Sequence, residues 1–245
     1  MDDIAWSRLL DDGACAARAS DASLARALAP LAEAKQAGAD YVVAQLGMSL
    51  DGRIATHTGS SRGINGPEAM RHLHRLRALV DGVVVGARTA RIDDPRLTVR
   101  HCAGESPARV VIDPKGTVPP DAQVWSAADG VRRLVFGGAE GLDDDIERIP
   151  TPESELSPAW ILDALKEHGI GRVLVEGGGK TVSQFLSAEA VDSLHLLIGP
   201  IVIGEGLVGL NLPGPSEIDA INRPETDVHR FAGGDVLFAS RLRQD

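Results

Sequence analysis

The sequence predicts an α/β protein with a central, mostly parallel sheet, an antiparallel C-terminal hairpin and helices on both faces. Short Val-rich runs bounded by Gly or Pro alternate with helical patterns, which is typical of strands buried on both faces. The last two apolar runs have no helix between them, and Gly233-Gly234 indicates a hairpin turn at that edge. The chain has 245 residues, 43% of them hydrophobic, which is enough to bury a substantial core.

Strands are predicted wherever a run of apolar, often β-branched residues ends in turn-forming residues. Residues 1–38, which precede the first run, are rich in Ala, Leu and charge and are predicted to form a helical extension. The main domain is expected to cover 39–245. The predicted strands are 41–46, 82–86, 109–113, 133–136, 172–175, 194–203, 227–231 and 235–239.

Two helices are predicted from the residues at their ends. The helix 67–80 begins with Pro67, and proline is favoured in the first turn. Arg77 lies on the flank of its apolar stripe, from which a long side chain can reach a cleft. The helix 158–168 has Ser157 as its N-cap. The stripe of the first helix, which must face the sheet, consists of Ala69, Leu73, Leu76 and Val80.

Charge and cysteine content exclude several classes of function. The net charge is −10 with no basic stripe, which argues against nucleic-acid binding. Cys15 and Cys102 form neither a disulfide framework nor a metal quartet, and they fit a reducing compartment. No apolar run approaches the ~18 residues that span a bilayer, and the acidic N-terminal segment does not resemble a signal peptide. We therefore expect a cytoplasmic protein without membrane or nucleic-acid partners.

Three short motifs resemble known sites but fail on context. The stretch 176–181 resembles the end of a phosphate-binding P-loop, but Leu174 stands where that loop requires Gly. The stretch 204–209 matches G-x-G-x-x-G, yet no helix begins after it, as a dinucleotide fingerprint requires. His72 and His74 project in different directions from a helix, so no metal site is predicted.

Polar, Gly-rich loops follow three of the predicted strands. The loop 56–66 follows the first strand, the hydrogen-bonding stretch 86–100 follows the second, and three glycines at 177–179 precede a helical stretch at 181–189. Because parallel strands end at the same edge of a sheet, these loops are expected to share one ligand cleft. A helix start there would offer free N–H groups to a phosphate. The alternative, ordinary turns and a capped surface helix, stays open on spacing alone.

Three motifs in a fixed order resemble one enzyme family. They are LGMSLDGRIAT at 46–56, DDPRLTVR at 93–100 and VLVEGGGKTVSQFL at 173–186. From residue 41 to about 241, four-fifths of its length, the chain resembles the reductase domain of riboflavin biosynthesis, which has a dihydrofolate-reductase-like fold. The combination of the three motifs in this order is far more specific than any one motif alone.

The resemblance implies an NADPH-dependent oxidoreductase. Family members reduce 5-amino-6-(5-phosphoribosylamino)uracil, or its 2,5-diamino-pyrimidinone counterpart, to the ribitylamino product by hydride delivery to the sugar C1′. Members are commonly homodimers, so a homodimer is expected here. The bifunctional bacterial members also carry a zinc deaminase domain, whose H-x-E and P-C-x-x-C pattern is absent from this sequence. The sequence therefore corresponds to the reductase half, without a metal.

The resemblance also implies the site residues, position by position. Asp51 and Glu176 are the candidate catalytic residues, and whether Asp51 donates a proton or only fixes its turn is left open. Lys115 and Arg62 are alternative partners for a cofactor 2′-phosphate. The implied cofactor contacts are Gly47, Gly63, Thr89, Asp93, Gly178, Gly179, Lys180 and Thr181. The implied substrate contacts are Ser61, Arg77, Leu97, Arg100 and Glu176, the two arginines being suited to the 5′-phosphate.

The sequence departs from the family pattern at three positions. Gln45 stands where many bacterial members have Lys, Gly63 where they have Trp, and Pro114 where Ser is frequent. Gln45 and Gly63 favour a first alternative, an NADPH reductase of the same fold acting on a pterin-like or aminosugar substrate. The N-terminal extension favours a second alternative, a non-catalytic NADP-binding module.

Overall fold

The computed structural model describes residues 1–12, 21–138, 140–152, 156–214, 216–217, 221 and 223–243. These residues form eleven strands and six α-helices. In chain order the elements are α1 (Asp3–Asp12), α2 (Ala22–Ala37), β1 (Tyr41–Ser49), β2 (Arg53–Thr56), α3 (Pro67–Leu79), β3 (Gly82–Gly86), α4 (Ala87–Asp93), β4 (Ala108–Asp113), β5 (Arg133–Gly137), β6 (Glu147–Ile149), α5 (Pro158–Glu167), β7 (Arg172–Glu176), α6 (Gly179–Ser187), β8 (Ser193–Gly199), β9 (Gly206–Val208), β10 (Thr226–Arg230) and β11 (Val236–Arg241).

Nine of these strands form one sheet, in the order β10-β11-β8-β1-β7-β3-β4-β5-β6. Every neighbouring pair from β8 to β6 is parallel. At the other edge, β11 runs antiparallel to β8, and β10 runs antiparallel to β11. The predicted mostly parallel sheet with an antiparallel C-terminal hairpin is therefore confirmed.

Helices cover the sheet on both faces because successive side chains of a strand point to opposite sides. On β3, Val83 belongs to a buried cluster that contains Leu28 of α2 and Leu76 of α3. Its neighbour Val84 belongs to a second cluster, with Leu165 of α5. Buried on both faces, β3 has an uninterrupted apolar sequence rather than an alternating one.

The predicted helical extension contains α1 and α2. Both helices contribute buried side chains, among them Trp6 and Leu28, to the cluster on the α3 face of the sheet. Cys15 falls in 13–20, outside the described residues. Within the described ranges, no helix combines the length and apolarity needed to cross a lipid bilayer.

The main differences from the predicted elements lie at the end of β8. The sequence predicts one strand over 194–203, but β8 ends at Gly199 and the chain leaves the sheet at Pro200, which has no N–H for a ladder. The chain then returns as β9, which pairs with β2 in a separate two-stranded sheet. Neither of these strands was predicted, nor was β6, and all three are short. Helix α6 begins at Gly179, two residues before its predicted start.

Candidate functional site

The carboxyl ends of β1, β7 and β3 lie side by side. In the sheet β7 lies between the other two strands, and Gln45 of β1 is in register with Glu176 at the end of β7. The loops expected to form one cleft therefore start from the same edge of the sheet. This edge is where open α/β sheets bind their ligands.

A cavity of about 840 Å³ lies between the loop after β3 and the start of α6. Thr89 and Gly178 connect its walls, because the Gly178 N–H donates a hydrogen bond of 2.9 Å to Thr89 Oγ1. The volume lies within the range of small-molecule sites, about 300–1,000 Å³. Five of the expected cofactor contacts line the cavity: Thr89, Gly178, Gly179, Lys180 and Thr181.

Two glycines in this cavity are required by close contacts. A Cβ on Gly179 would lie 1.7 Å from the carbonyl oxygen of Gly209, so the chain just after β9 contacts the start of α6 directly. A Cβ on Gly86 would lie 2.6 Å from Thr181 Oγ1. Because Gly86 and Gly179 lack side chains, the loop after β3 and the chain after β9 can both contact the N-terminus of α6. N–H groups at a helix N-terminus favour a phosphate.

The other two expected glycine contacts lie outside the cavity lining. Gly47 packs against Asn65, whose Oδ1 would lie 2.0 Å from an added Cβ. Gly63 has a φ of +87° and no atom within 4 Å of the Cβ position. In this structure Gly47 is required by packing and Gly63 by a left-handed turn, so any cofactor contact at either residue remains a prediction.

Cationic side chains border the same cavity. Arg88, Lys115 and Lys180 are among its lining residues. Arg62 is not in that lining. It lies near Asp93, where its charge acts to lower the pKa of the carboxyl. Of the two candidates for a 2′-phosphate contact, Lys115 is the one that borders the cavity.

Asp93 and Ser61 connect the loop 56–66 to the end of α4. Ser61 Oγ donates a hydrogen bond of 3.2 Å to Asp93 Oδ1. The pKa of Asp93 is raised, mainly because partial desolvation disfavours the charged carboxylate, and Glu176 adds repulsion in the same direction. The Ser61 hydrogen bond and Arg62 act against this shift. Asp93 therefore lies near Glu176 at the end of β7, although it does not line the 840 Å³ cavity.

Arg77 and Glu176 form a buried ion pair between α3 and β7. Arg77 Nε donates to Glu176 Oε2 over 2.8 Å, and Nη2 donates to Oε1 over 2.6 Å. Arg77 Nη1 donates to the carbonyl of Thr98 over 2.9 Å. The Arg77 side chain is 5% exposed. In this structure Arg77 holds Glu176 and the chain at Thr98 together, and the expected phosphate contact at Arg77 remains a prediction.

The chain from Asp94 to Arg100 has no regular secondary structure and contains strained backbone. Asp94 and Leu97 have φ values of +40° and +55°, in the left-handed region that non-glycine residues rarely adopt. The Leu97 side chain is buried in the core, so a substrate contact at this position would have to come from the backbone.

Arg100, in contrast to Arg77, is exposed. Its Nη1 donates to Thr98 Oγ1 over 2.6 Å, and its backbone N–H donates to His74 Nδ1 over 2.8 Å. Its pKa is lowered by partial desolvation and by the positive charge of Arg77. Of the two arginines expected to bind the phosphate, Arg100 is the one whose side chain is accessible to a ligand.

Asp51 fixes the segment 200–205 between β8 and β9, which we call the strap. Its carboxylate accepts hydrogen bonds from Ser49 Oγ over 2.6 Å, from the Ile203 N–H over 3.0 Å and from the Gly204 N–H over 2.7 Å. These bonds lower the pKa of Asp51 to about 2. At neutral pH Asp51 is therefore an acceptor, and the contacts favour the turn-fixing role over proton donation.

The sequence indicates no role for His74 once a metal site is rejected, but the structure gives it one. Its Nδ1 accepts the Arg100 N–H, and burial next to Arg77 lowers its pKa to about 3, so the ring is neutral. The spacing of three residues between His74 and Arg77 on one helix face is the sequence signal for this role. Both side chains hold the 98–100 segment from α3.

Comparison with known proteins gives a consistent family. A family model described as the RibD C-terminal domain matches residues 40–227. The chain is 33% identical over 175 residues to a 2,5-diamino-6-ribosylamino-4(3H)-pyrimidinone 5′-phosphate reductase of Methanothermobacter thermautotrophicus, with 67% of this chain and 79% of that protein covered. It is 36% identical over 182 residues to the riboflavin biosynthesis protein RibD of Bacillus amyloliquefaciens, with 68% of this chain and 47% of that protein covered.

Solved structures agree with these sequence relatives. A diaminohydroxyphosphoribosylaminopyrimidine deaminase/5-amino-6-(5-phosphoribosylamino)uracil reductase of Thermotoga maritima superposes with a TM-score of 0.72 and 28% identity, covering 89% of this chain and 61% of that one. RibD of Acinetobacter baumannii superposes with a TM-score of 0.73 and 26% identity, covering 90% and 63%. The chain thus spans about three-fifths of these two structures and about half of the Bacillus protein.

Proposed function

The chain belongs to the RibD C-terminal domain family, and from this premise we propose that it reduces a phosphoribosylamino-pyrimidine to its ribitylamino product with NADPH. The substrate is 5-amino-6-(5-phosphoribosylamino)uracil or its 2,5-diamino-pyrimidinone counterpart. The observation that carries the proposal is the junction of Thr89, Gly178 and the Arg77–Glu176 pair at one sheet edge. It joins a nucleotide-sized cavity to a polar subsite with an exposed arginine.

The residues of the cavity fit a nicotinamide dinucleotide. The start of α6 and its close glycines can accept a pyrophosphate, and Thr89 fixes the loop opposite. Lys115 borders the same cavity and is our choice for the 2′-phosphate. A bound NADPH would supply the hydride that reduces C1′ of the ring-opened sugar imine.

The polar subsite orients the sugar. Glu176 is held by two bonds from Arg77, and each of its carboxylate oxygens can still accept a bond from a sugar hydroxyl. Arg100 is placed to bind the 5′-phosphate, since its side chain is exposed and is oriented by the bond from Nη1 to Thr98 Oγ1. Positioning C1′ against the nicotinamide is the main contribution that these residues make to the rate.

Turnover by the purified chain tests the proposal. NADPH oxidation is followed with the deaminated pyrimidine phosphate, with the diamino counterpart and with the dephosphorylated form of each, and the product is identified by mass spectrometry. We expect turnover with at least one phosphorylated substrate and much slower turnover without the phosphate. Failure with both phosphorylated pyrimidines, alongside intact NADPH binding, removes the proposal and leaves two alternatives, a reductase of the same fold with another substrate and a non-catalytic NADP-binding module.

A reductase of the same fold with a different substrate is the second candidate. Gln45, which is buried and in register with Glu176, replaces the lysine of many bacterial members at this sheet edge. An amide cannot supply the charge of an ammonium group, so the group recognised there differs. A pterin-like or aminosugar substrate that outcompetes the phosphorylated pyrimidines would favour this candidate.

The proposal includes a homodimer. Val228 and Phe238 face each other across β10 and β11, and they are 51% and 39% exposed. Leu196 of β8 is next to Phe238 on the same face. A second copy of the chain placed on this apolar face would remove it from water. The measurement is the molar mass in solution, which Phe238→Asp is expected to reduce to that of one chain.

A further inference from the structure

The N-terminal helix α1 is tied to the loop that carries Arg100. Trp6 of α1 is fully buried, and its indole Nε1–H donates a hydrogen bond of 2.9 Å to the carbonyl of Ala103. Ala103 is three positions after Arg100. Indole N–H groups usually find a partner when buried, and here the partner is a loop backbone 97 residues away in the chain.

Helix α3 holds α1 against this loop from the other side. Arg75 lies with its guanidinium carbon 5.4 Å from the centre of the Trp6 ring, a cation–π arrangement. Its Nη2 also donates to the carbonyl of Met1 over 2.7 Å. Arg75 is buried, and the contacts with Trp6 and Met1 show that the α1 segment covers the side of α3 that carries it.

The segment between Thr98 and Gly104 is therefore held from two helices. From α3, Arg77 binds the carbonyl of Thr98 and His74 accepts the Arg100 N–H. At the far end, a Cβ on Gly104 would lie 2.5 Å from Ala78 Cβ of α3 and 3.7 Å from Leu10 of α1. Without α1, Ala103 would lose its hydrogen bond from Trp6, and Gly104 would keep only its contact with Ala78 of α3.

We propose that residues 1–12 are part of the substrate site, and that Trp6 is a positioning residue that fixes the Arg100 loop through Ala103. The inference rests on the proposed function for its effect on substrate, and on geometry alone for its effect on the loop. Trp6 lies ahead of the segment matched by the family model, so this support comes from a part of the chain that the family pattern does not include.

The test compares Trp6→Phe with the wild-type full-length chain. Phenylalanine keeps an aromatic ring under Arg75 but lacks the N–H donor for Ala103. We expect the KM for the phosphorylated pyrimidine to rise about fivefold, the effect of one lost hydrogen bond, with kcat and the KM for NADPH unchanged. Leu28→Val is the control, because it removes buried volume from α2 without changing a polar contact; it should lower the melting temperature only.

Amide hydrogen exchange supplies a readout independent of turnover. The Arg100 and Val99 N–H groups, bonded to His74 and Ser106, should exchange about fivefold faster in Trp6→Phe, whereas β4 should exchange as in wild type. If Trp6→Phe does not fold, Arg75→Met, which keeps a long side chain but cannot donate to the Met1 carbonyl, is expected to give a smaller change in the same direction.

The outcomes separate the two proposals. If the wild type reduces no pyrimidine, the proposed function fails and exchange alone decides whether α1 fixes the loop. Wild-type exchange at 98–104 in Trp6→Phe overturns the inference. It is also overturned if the KM values for pyrimidine and NADPH rise equally, because that result indicates general loosening rather than positioning.

Discussion

Arg77 and Glu176 are 99 positions apart in the chain, and they form a two-bond ion pair with N–O distances of 2.6 and 2.8 Å beneath the polar subsite. The pair joins α3 to the carboxyl end of β7. Both side chains are mostly buried, so each depends on the other for its solvation.

Glu176→Gln is expected to destabilise the protein and to slow the reaction, since it leaves the Arg77 guanidinium buried without a counter-charge. We expect a loss of about 3–5 kcal/mol in the free energy of unfolding, measured by urea denaturation. Arg77→Lys should cause a similar loss, because an ammonium group cannot form both bonds. Wild-type stability in both variants would contradict this account.

Thr89→Val tests the bond that joins the walls of the cavity. Valine has nearly the same shape but cannot accept the Gly178 N–H. We expect NADPH binding, measured by titration, to weaken about fivefold to tenfold while the KM for pyrimidine is unchanged. Thr89→Ser restores the acceptor and should restore the affinity. Equal affinities in all three proteins would show that the contact is not needed for cofactor binding.

Lys115→Gln tests selectivity for the cofactor phosphate. Because Lys115 borders the cavity, we expect the KM for NADPH to rise about tenfold, consistent with one charge-assisted contact, while the KM for NADH stays constant. Arg62→Gln is the matched control and should change neither value. An equal effect of Lys115→Gln on both cofactors would remove Lys115 as the 2′-phosphate partner.

Asp51→Asn should lower stability without removing turnover. The pKa of Asp51 is about 2 in the folded state, below its ordinary value of 3.8, so the carboxylate stabilises the fold above about pH 4. This stabilisation is lost as the pH falls from about 4 towards 2. The melting temperatures of wild type and variant should therefore differ at pH 7 and converge in acid. The exposed Asp121→Asn serves as control, and complete loss of turnover in Asp51→Asn would instead indicate a proton donor.

Buried histidines should make the protein sensitive to mild acid. His72 Nε2 lies 2.9 Å from His195 Nδ1, and burial lowers the pKa of both, as it does for His74. Their folded pKa values lie below 6.5, so the unfolded chain takes up protons first and stability falls as the pH drops below about 6.5.

The size of this effect can be measured with one variant. Each histidine that stays neutral in the folded state costs about 1.4 kcal/mol per pH unit below 6.5. His74→Gln, whose amide oxygen can accept the Arg100 N–H, should reduce the slope of unfolding free energy against pH by about this amount. Exposed His57→Gln should not change the slope, and a flat profile from pH 6.5 to 5 would contradict the prediction.

The parallel sheet was predictable because strands such as β3 are buried on both faces and are therefore apolar throughout. The strands β2 and β9 were not, because they pair through contacts between distant segments, to which the bonds of Asp51 with Ile203 and Gly204 belong. Periodicity cannot detect such a contact.

The site shows the same division between local and tertiary information. The glycines at 178 and 179 follow a strand, so their position at the start of a helix was expected from local sequence. The different environments of Arg77 and Arg100 could not be predicted from local sequence, because both are arginines assigned to the same phosphate contact. Only the packing of α3 against β7 determines that Arg77 is paired and Arg100 exposed.

The strand order has a consequence for biosynthesis. Strand β1 ends at Ser49, but both of its neighbours, β7 and β8, are translated more than 120 residues later. A nascent chain therefore carries an apolar segment with two unpaired edges until β7 has left the ribosome, and with one unpaired edge until Gly199 has followed. Such long-range pairing predicts slow, late folding and a period in which chaperones can bind β1.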